Sequence, residues 1–202
     1  MKFTILLTMT AMLLAAATQA KAQEATTPEA PAAEADTAAG LAEWQKIYEV
    51  FSHPRCANCH VEDDHPRWSG AHYGKTRVHA FNVVRGADGS GFGNPGLRCT
   101  TCHFDSNSNI LHGPPGAPSW HLAPAEMVWF GKSSAAVCTQ IKDPERNGGR
   151  TIAEVAEHVR DDALVGWGWA PGPGREPAPG SAEAVFAAIS SWGAAGAPCP
   201  VD

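Results

Sequence analysis

Apolar residues recur at helical spacing in several stretches of the chain, and the intervals between them are turn-forming. Leu41, Trp44, Ile47, Tyr48 and Phe51 share one face of a helical repeat, and this amphipathic segment runs directly into a cysteine pair. Ser134 to Lys142 predicts a second, short helix. Thr151 to Leu164 carries the clearest pattern: Thr151 and Glu154 have the spacing of a capping box, and Ile152, Val155, Val159 and Ala163 lie on one side. Ser181 is placed to cap a last helix reaching about Trp192. Pro124 to Phe130 is expected to hold one or two helical turns. Arg85 to Gly96, Gly113 to Pro118 and Pro171 to Gly180 are dense in turn formers. The pattern therefore predicts a mainly α fold with much irregular structure and three to four short helices.

The first residues read differently. Lys2, the apolar run Ile5 to Leu14 and the small-residue site Ala20-Lys21-Ala22 form a secretory signal peptide over residues 1–22. The apolar run is too short to span a membrane, so the mature chain is expected to have no transmembrane segment and to work in the periplasm. Residues 23–39 are Ala, Pro, Glu and Thr with almost nothing large and apolar, which predicts a disordered linker. Residues 40–202 are then the folded domain. Loss of Lys2 and Lys21 leaves 13 basic against 21 acidic side chains, a net charge of −8. That charge argues against nucleic acid as a partner and favours a docking partner with positive surface.

The chemistry rests on two copies of one motif, Cys56-Ala57-Asn58-Cys59-His60 and Cys99-Thr100-Thr101-Cys102-His103. Cys-x-x-Cys-His is the attachment pattern of c-type haem: the thiols add to the haem vinyl groups and the histidine ligates iron from one face. The expected cofactors are two covalently bound haem c groups, held by Cys56, Cys59 and His60 and by Cys99, Cys102 and His103. A four-cysteine zinc site usually spaces its pairs about 15–20 residues apart, whereas Cys59 and Cys99 are 40 apart. A thioredoxin-like pair needs a βαβ context that the pattern does not offer. The motifs start only 43 residues apart, less than one cytochrome domain each. A small dihaem cytochrome c domain follows, its short helices wrapped around two haems that serve as its core. Cys138 and Cys199 are left over, and in an oxidising compartment they pair as a disulfide or remain two buried thiols.

The sixth ligands of the irons are not given by the motif. His79 follows His60 by 19 residues and His121 follows His103 by 18, a trace of internal duplication in which each haem takes its own distal histidine. Met127 and His158 compete with His121 for the second iron, and His158 also reads as a histidine bonded to the Asp162 carboxylate. His53, His65, His72 and His112 lie in polar or loop-like surroundings, where contact with solvent or haem propionates is expected. Arg85, Arg146, Arg150 and Arg175 sit in turn-rich loops, as propionate partners or solvated charges. The seven tryptophans are expected to pack on haem.

From Phe51 to Pro200 the chain resembles a bacterial family labelled isoquinoline 1-oxidoreductase subunit, which carries two haem c motifs. The resemblance lies in the stretch from His53 to His60, in Arg85 to Gly89, in Gly116 to Pro124, in Lys142 to Arg150 and in Leu164 to Trp169. It implies service beside a molybdenum hydroxylase of N-heteroaromatic or aldehyde-type substrates. The expected function is a periplasmic electron carrier between such a dehydrogenase or hydroxylase and a respiratory cytochrome or oxidase, with no catalysis of its own. The alternative is a dihaem enzyme of peroxidase type with one open iron.

Overall fold

Trp44, Ile47 and Phe51 bury the predicted face of α1 (Ala32–Phe51). The computed structural model describes residues 32–69 and 75–202; the expected signal peptide and His72 lie outside them. α1 starts inside the stretch read as an unstructured linker. Its alanines favour helix without needing partners, and Glu34 lies in the positive first turn. Burial, by contrast, begins at Gly40. A Cβ there would lie 2.6 Å from Pro198, so the missing side chain lets the C-terminal tail cross α1.

Helix α2 (Pro54–Ala57) is a single turn carrying the first cysteine of the first motif, with Pro54 in its opening turn and His53 accepting from the Arg55 amide. α3 (Ser134–Lys142) has the bounds read from the sequence and is capped by Ser133. α4 (Ile152–Asp161) opens on the reciprocal Thr151–Glu154 capping box. It ends before Leu164 because Asp162 turns extended and its carboxylate accepts from the Leu164 and Val165 amides. Those bonds open a new turn, α5 (Ala163–Gly166), and a 3₁₀ turn over Trp167–Trp169 follows. α6 (Ala182–Ala194) starts on Ser181. Pro124 to Phe130 forms a turn and no helix. Met127 donates to Pro124, while the Trp129 and Phe130 amides both donate to the His60 carbonyl, so the groups a helix would use are spent on the motif.

The fold is thus mostly helical with much irregular structure. Its six described α-helices exceed the three or four expected, because α2 and α5 are single turns that no periodicity reveals. Between the motifs lie two antiparallel pairs of two-residue strands: β1 (Arg67–Trp68) with β2 (Arg77–Val78), and β3 (Gly93–Asn94) with β4 (Leu97–Arg98).

α1, α4 and α6 pack together over a core that includes Trp44, Ile47, Val155, Val159, Ile189 and Trp192. Trp44 and Trp192 meet at 5.0 Å; their indole N–H groups donate to Ser134 Oγ and the Pro198 carbonyl. These aromatics fill the core between the helices. A Cys138–Cys199 disulfide fastens the C-terminal tail to α3. Among the described residues no helix is long and apolar enough to cross a membrane.

Candidate functional site

Cys56, Cys59 and His60 line one cavity of about 300 Å³, a size in the range of cofactor sites. Val50 and Phe51 continue that wall from the end of α1, and α4 supplies another with Val155, His158, Val159 and the capping Asp162. His60 is held on three sides. Its carbonyl accepts from the Trp129 and Phe130 amides, its Nδ1 donates to the Met127 carbonyl at 3.2 Å, and its ring stacks on Trp129 at 3.4 Å. Phe51 stacks on the other face of this assembly, 4.5 Å from Trp129. A carbonyl on Nδ1 fixes the proton there and leaves the Nε2 lone pair available, as metal-bound histidines require.

Electrostatics point the same way. Burial pushes the His60 pKa down to about 3, and the His158 and Arg85 charges add to this against the Met127 carbonyl. The ring is therefore neutral at ordinary pH and able to act as a ligand. Burial also raises the thiols, Cys56 to about 12 and Cys59 to about 11. A disulfide-exchanging pair is tuned in the opposite direction.

The second motif repeats this arrangement in thinner surroundings. Cys99 to Thr101 is a 3₁₀ turn. His103 Nδ1 donates to the Pro115 carbonyl at 2.7 Å, and its ring stacks on Trp120 at 4.7 Å. Burial lowers its pKa, opposed by Pro115 and aided by the His79 and Arg175 charges. Gly91 allows the preceding loop to close: at φ +81° its carbonyl accepts from Leu122, and a Cβ would meet the Leu122 oxygen at 2.5 Å. The two motifs are near each other. The Cys99 thiol acts on the Cys59 pKa, and Trp120 both stacks on His103 and lines the first cavity.

The remaining candidates fall into place unevenly. The pairing expected from the 19- and 18-residue spacings is crossed. His79 lies beside His103, ring centres 5.9 Å apart, and His121 lines the cavity of the first motif. The β1–β2 pair sets the place of His79, whose amide donates to the Pro66 carbonyl one step past the Arg67–Val78 pair. Met127 and His158 also line the first cavity. His65 binds the Val83 carbonyl and His53 caps α2. Arg85 is buried on Asp64 and the Ala123 and Val61 carbonyls, and the half-buried Arg175 donates to carbonyls of Gly113 and Pro171. Arg146 and Arg150 do reach the cavity.

Arg55 was not legible as a site residue. It is buried in the cavity wall, 3.5 Å from Glu176, with one Nη donating to Ser69. Its Nε and the Trp129 indole N–H have no hydrogen-bond partner among the described residues. A buried unspent donor is costly, and two of them on a cavity wall suit an anionic group such as a carboxylate. No three His, Cys, Asp or Glu side chains converge as around a bare metal ion among the described residues. A porphyrin iron, four of whose ligands come from the macrocycle, asks the protein for only one or two. The donor set therefore fits haem: two thiols and an imidazole on one wall, apolar surroundings, and spare donors for propionates.

No known family profile, curated protein or solved structure matches the chain.

Proposed function

We propose that the protein is a dihaem c-type cytochrome that carries electrons in the periplasm. The observation that carries this reading is the shared treatment of the two motif histidines. Each has its Nδ1 bound to a backbone carbonyl, Met127 or Pro115, and its ring stacked on a tryptophan, Trp129 or Trp120. Each is thereby oriented with Nε2 left for iron. Haem, when bound, supplies a one-electron iron couple. The chain's own residues would anchor it by Cys56 and Cys59 or by Cys99 and Cys102, orient it by His60 or His103, and hold its propionates with donors such as Arg55. Proximity of the motifs through Cys59, Cys99 and Trp120 suits passage of an electron from one site to the other.

The resemblance to the isoquinoline 1-oxidoreductase subunit family points to a molybdenum hydroxylase as donor, with a respiratory cytochrome or oxidase as acceptor. Export through the N-terminal signal peptide agrees with that placement, because c-type haem is attached outside the cytoplasm. The protein is to be produced with its leader in a host that matures c-type cytochromes, and its haem measured as the pyridine haemochrome. Two covalent haems per chain are expected, both low-spin and inert to carbon monoxide. Chains exported without haem would overturn the reading. A wild-type haem that binds carbon monoxide or reacts with peroxide would replace the carrier with the peroxidase-type enzyme.

A further inference from the structure

We propose a crossed axial ligation that rests on the haem reading above: His79 completes the second iron with His103, and His158 completes the first with His60. For the second site the argument is geometric. Two imidazoles on opposite sides of one iron have ring centres about 6 Å apart, from two metal–nitrogen bonds of about 2 Å and about 1 Å from each nitrogen to its ring centre. His79 and His103 stand at 5.9 Å with their planes at 63°, and axial rings are free to rotate about the metal–nitrogen bond. Both have Nδ1 on a carbonyl, Ala80 for His79 and Pro115 for His103, so both keep Nε2. The position of His79 is set by the β1–β2 register: its amide donates to Pro66, one step past the Arg67–Val78 pair. Phe81 and Asn82 then take left-handed conformations, φ 63° and 50°, that turn the chain away. Such conformations in non-glycine residues persist only where the surroundings impose them.

A separate observation carries the first site. His158 projects from α4, a wall distinct from the motif, into the cavity that His60 also lines. Its Nδ1 faces Asp162 Oδ2 at 3.6 Å, while Asp162 Oδ1 caps α5. A carboxylate behind an imidazole is the usual partner of a metal-bound histidine, and here the helix break at Asp162 fixes its position. The competitors are placed less well. The Met127 backbone is spent behind His60. His121 also keeps its Nε2, with Nδ1 on the Ser119 carbonyl and its ring stacked on Phe92, but it lies on a loop, whereas His158 is held on α4 with a carboxylate behind it.

The test uses the full-length holoprotein, with haem content by pyridine haemochrome and spin state by low-temperature EPR. Wild type is expected to hold two low-spin haems without a sulfur-to-iron band in the near infrared. His79→Ala should turn half of the haem high-spin and open to carbon monoxide, His158→Ala the other half, and the double variant all of it. Trp129→Phe, which touches His60, should shift the low-spin signal that survives in His79→Ala and leave the one that survives in His158→Ala. The reverse pattern would overturn the crossing. Unchanged low-spin spectra in His79→Ala, a wild-type methionine band, or opening by His121→Ala in place of His158→Ala would each overturn the corresponding ligand while two attached haems kept the dihaem reading intact. Absence of haem from the wild type would instead sink that reading itself.

Discussion

His60 and His103 occupy the same motif position and are held by the same pair of contacts, yet they stand in different surroundings. Around His60, α1, α2 and α4 close over a cavity, and Trp129 is sandwiched between Phe51 and the imidazole. Around His103, the chain runs through turns and two-residue strands, and Phe81, Phe104, Ile110 and Leu111 are 66–82% exposed. Four of the five described non-glycine residues with positive φ, Phe81, Asn82, His112 and Ser119, also lie on the second side. The contrast separates two functions of the fold. Orienting an imidazole takes one carbonyl and one aromatic ring, which a loop can provide. Enclosing it takes packed helices, and α1, α2 and α4 stand around the first motif.

The sharpest way to break this contrast is to remove the aromatic support at each site. Trp129→Ala should cost about 3–5 kcal/mol, the usual loss for a buried tryptophan, whereas Trp120→Ala, half-buried, should cost less than about 2 kcal/mol. Chemical denaturation of both variants checks this, and equal losses would mean that the second site is as well packed as the first. Next in size is the disulfide. Replacing Cys138 and Cys199 together by serine should cost about 2–4 kcal/mol and loosen the tail over α1 and α3. Hydrogen exchange should show the loss there and leave the β3–β4 loop unchanged.

Acid should weaken both sites. The unfolded chain protonates His60 near its ordinary value, and the folded chain only near 3. Between those values the unfolded state binds the extra proton, so stability falls as pH falls, by at most ~1.4 kcal/mol per pH unit. His103 is lowered for the same reason. Urea midpoints measured across this range should decline toward acid, and His60→Asn should flatten the decline. The smallest expected effect is on the wall that carries His158. Thr151→Ala removes the capping box of α4 and should cost about 1 kcal/mol, with increased exchange confined to the first turns of α4. A rise at the second motif would show that the two regions are mechanically coupled.

Much of the helical framework was readable from the chain. The bounds of α3, the Thr151–Glu154 box and the Ser181 cap depend on side chains bonding to their own backbone a few residues away, so local pattern suffices. The two Cys-x-x-Cys-His motifs are equally local patterns, five residues each. Leftover-cysteine reasoning anticipated the Cys138–Cys199 bond. Where local signals conflicted with distant ones, the reading failed. The periodicity through Leu164 gave no warning of Asp162, whose carboxylate prefers the amides ahead of it. Pro124 to Phe130 lost its helix to the His60 carbonyl, a partner more than sixty residues away in sequence.

By itself, then, the sequence determined which residues could cap a helix, because these are short-range bonds, and, by elimination, which two cysteines were left to pair. The tertiary structure decided which histidine faces which motif. His79 crosses to His103, and His158 and His121 come to the first cavity, through the β1–β2 register and the packing of α4 on α6. Spacing along the chain cannot encode that choice, since which side chains meet is set by distance in space after the backbone has turned.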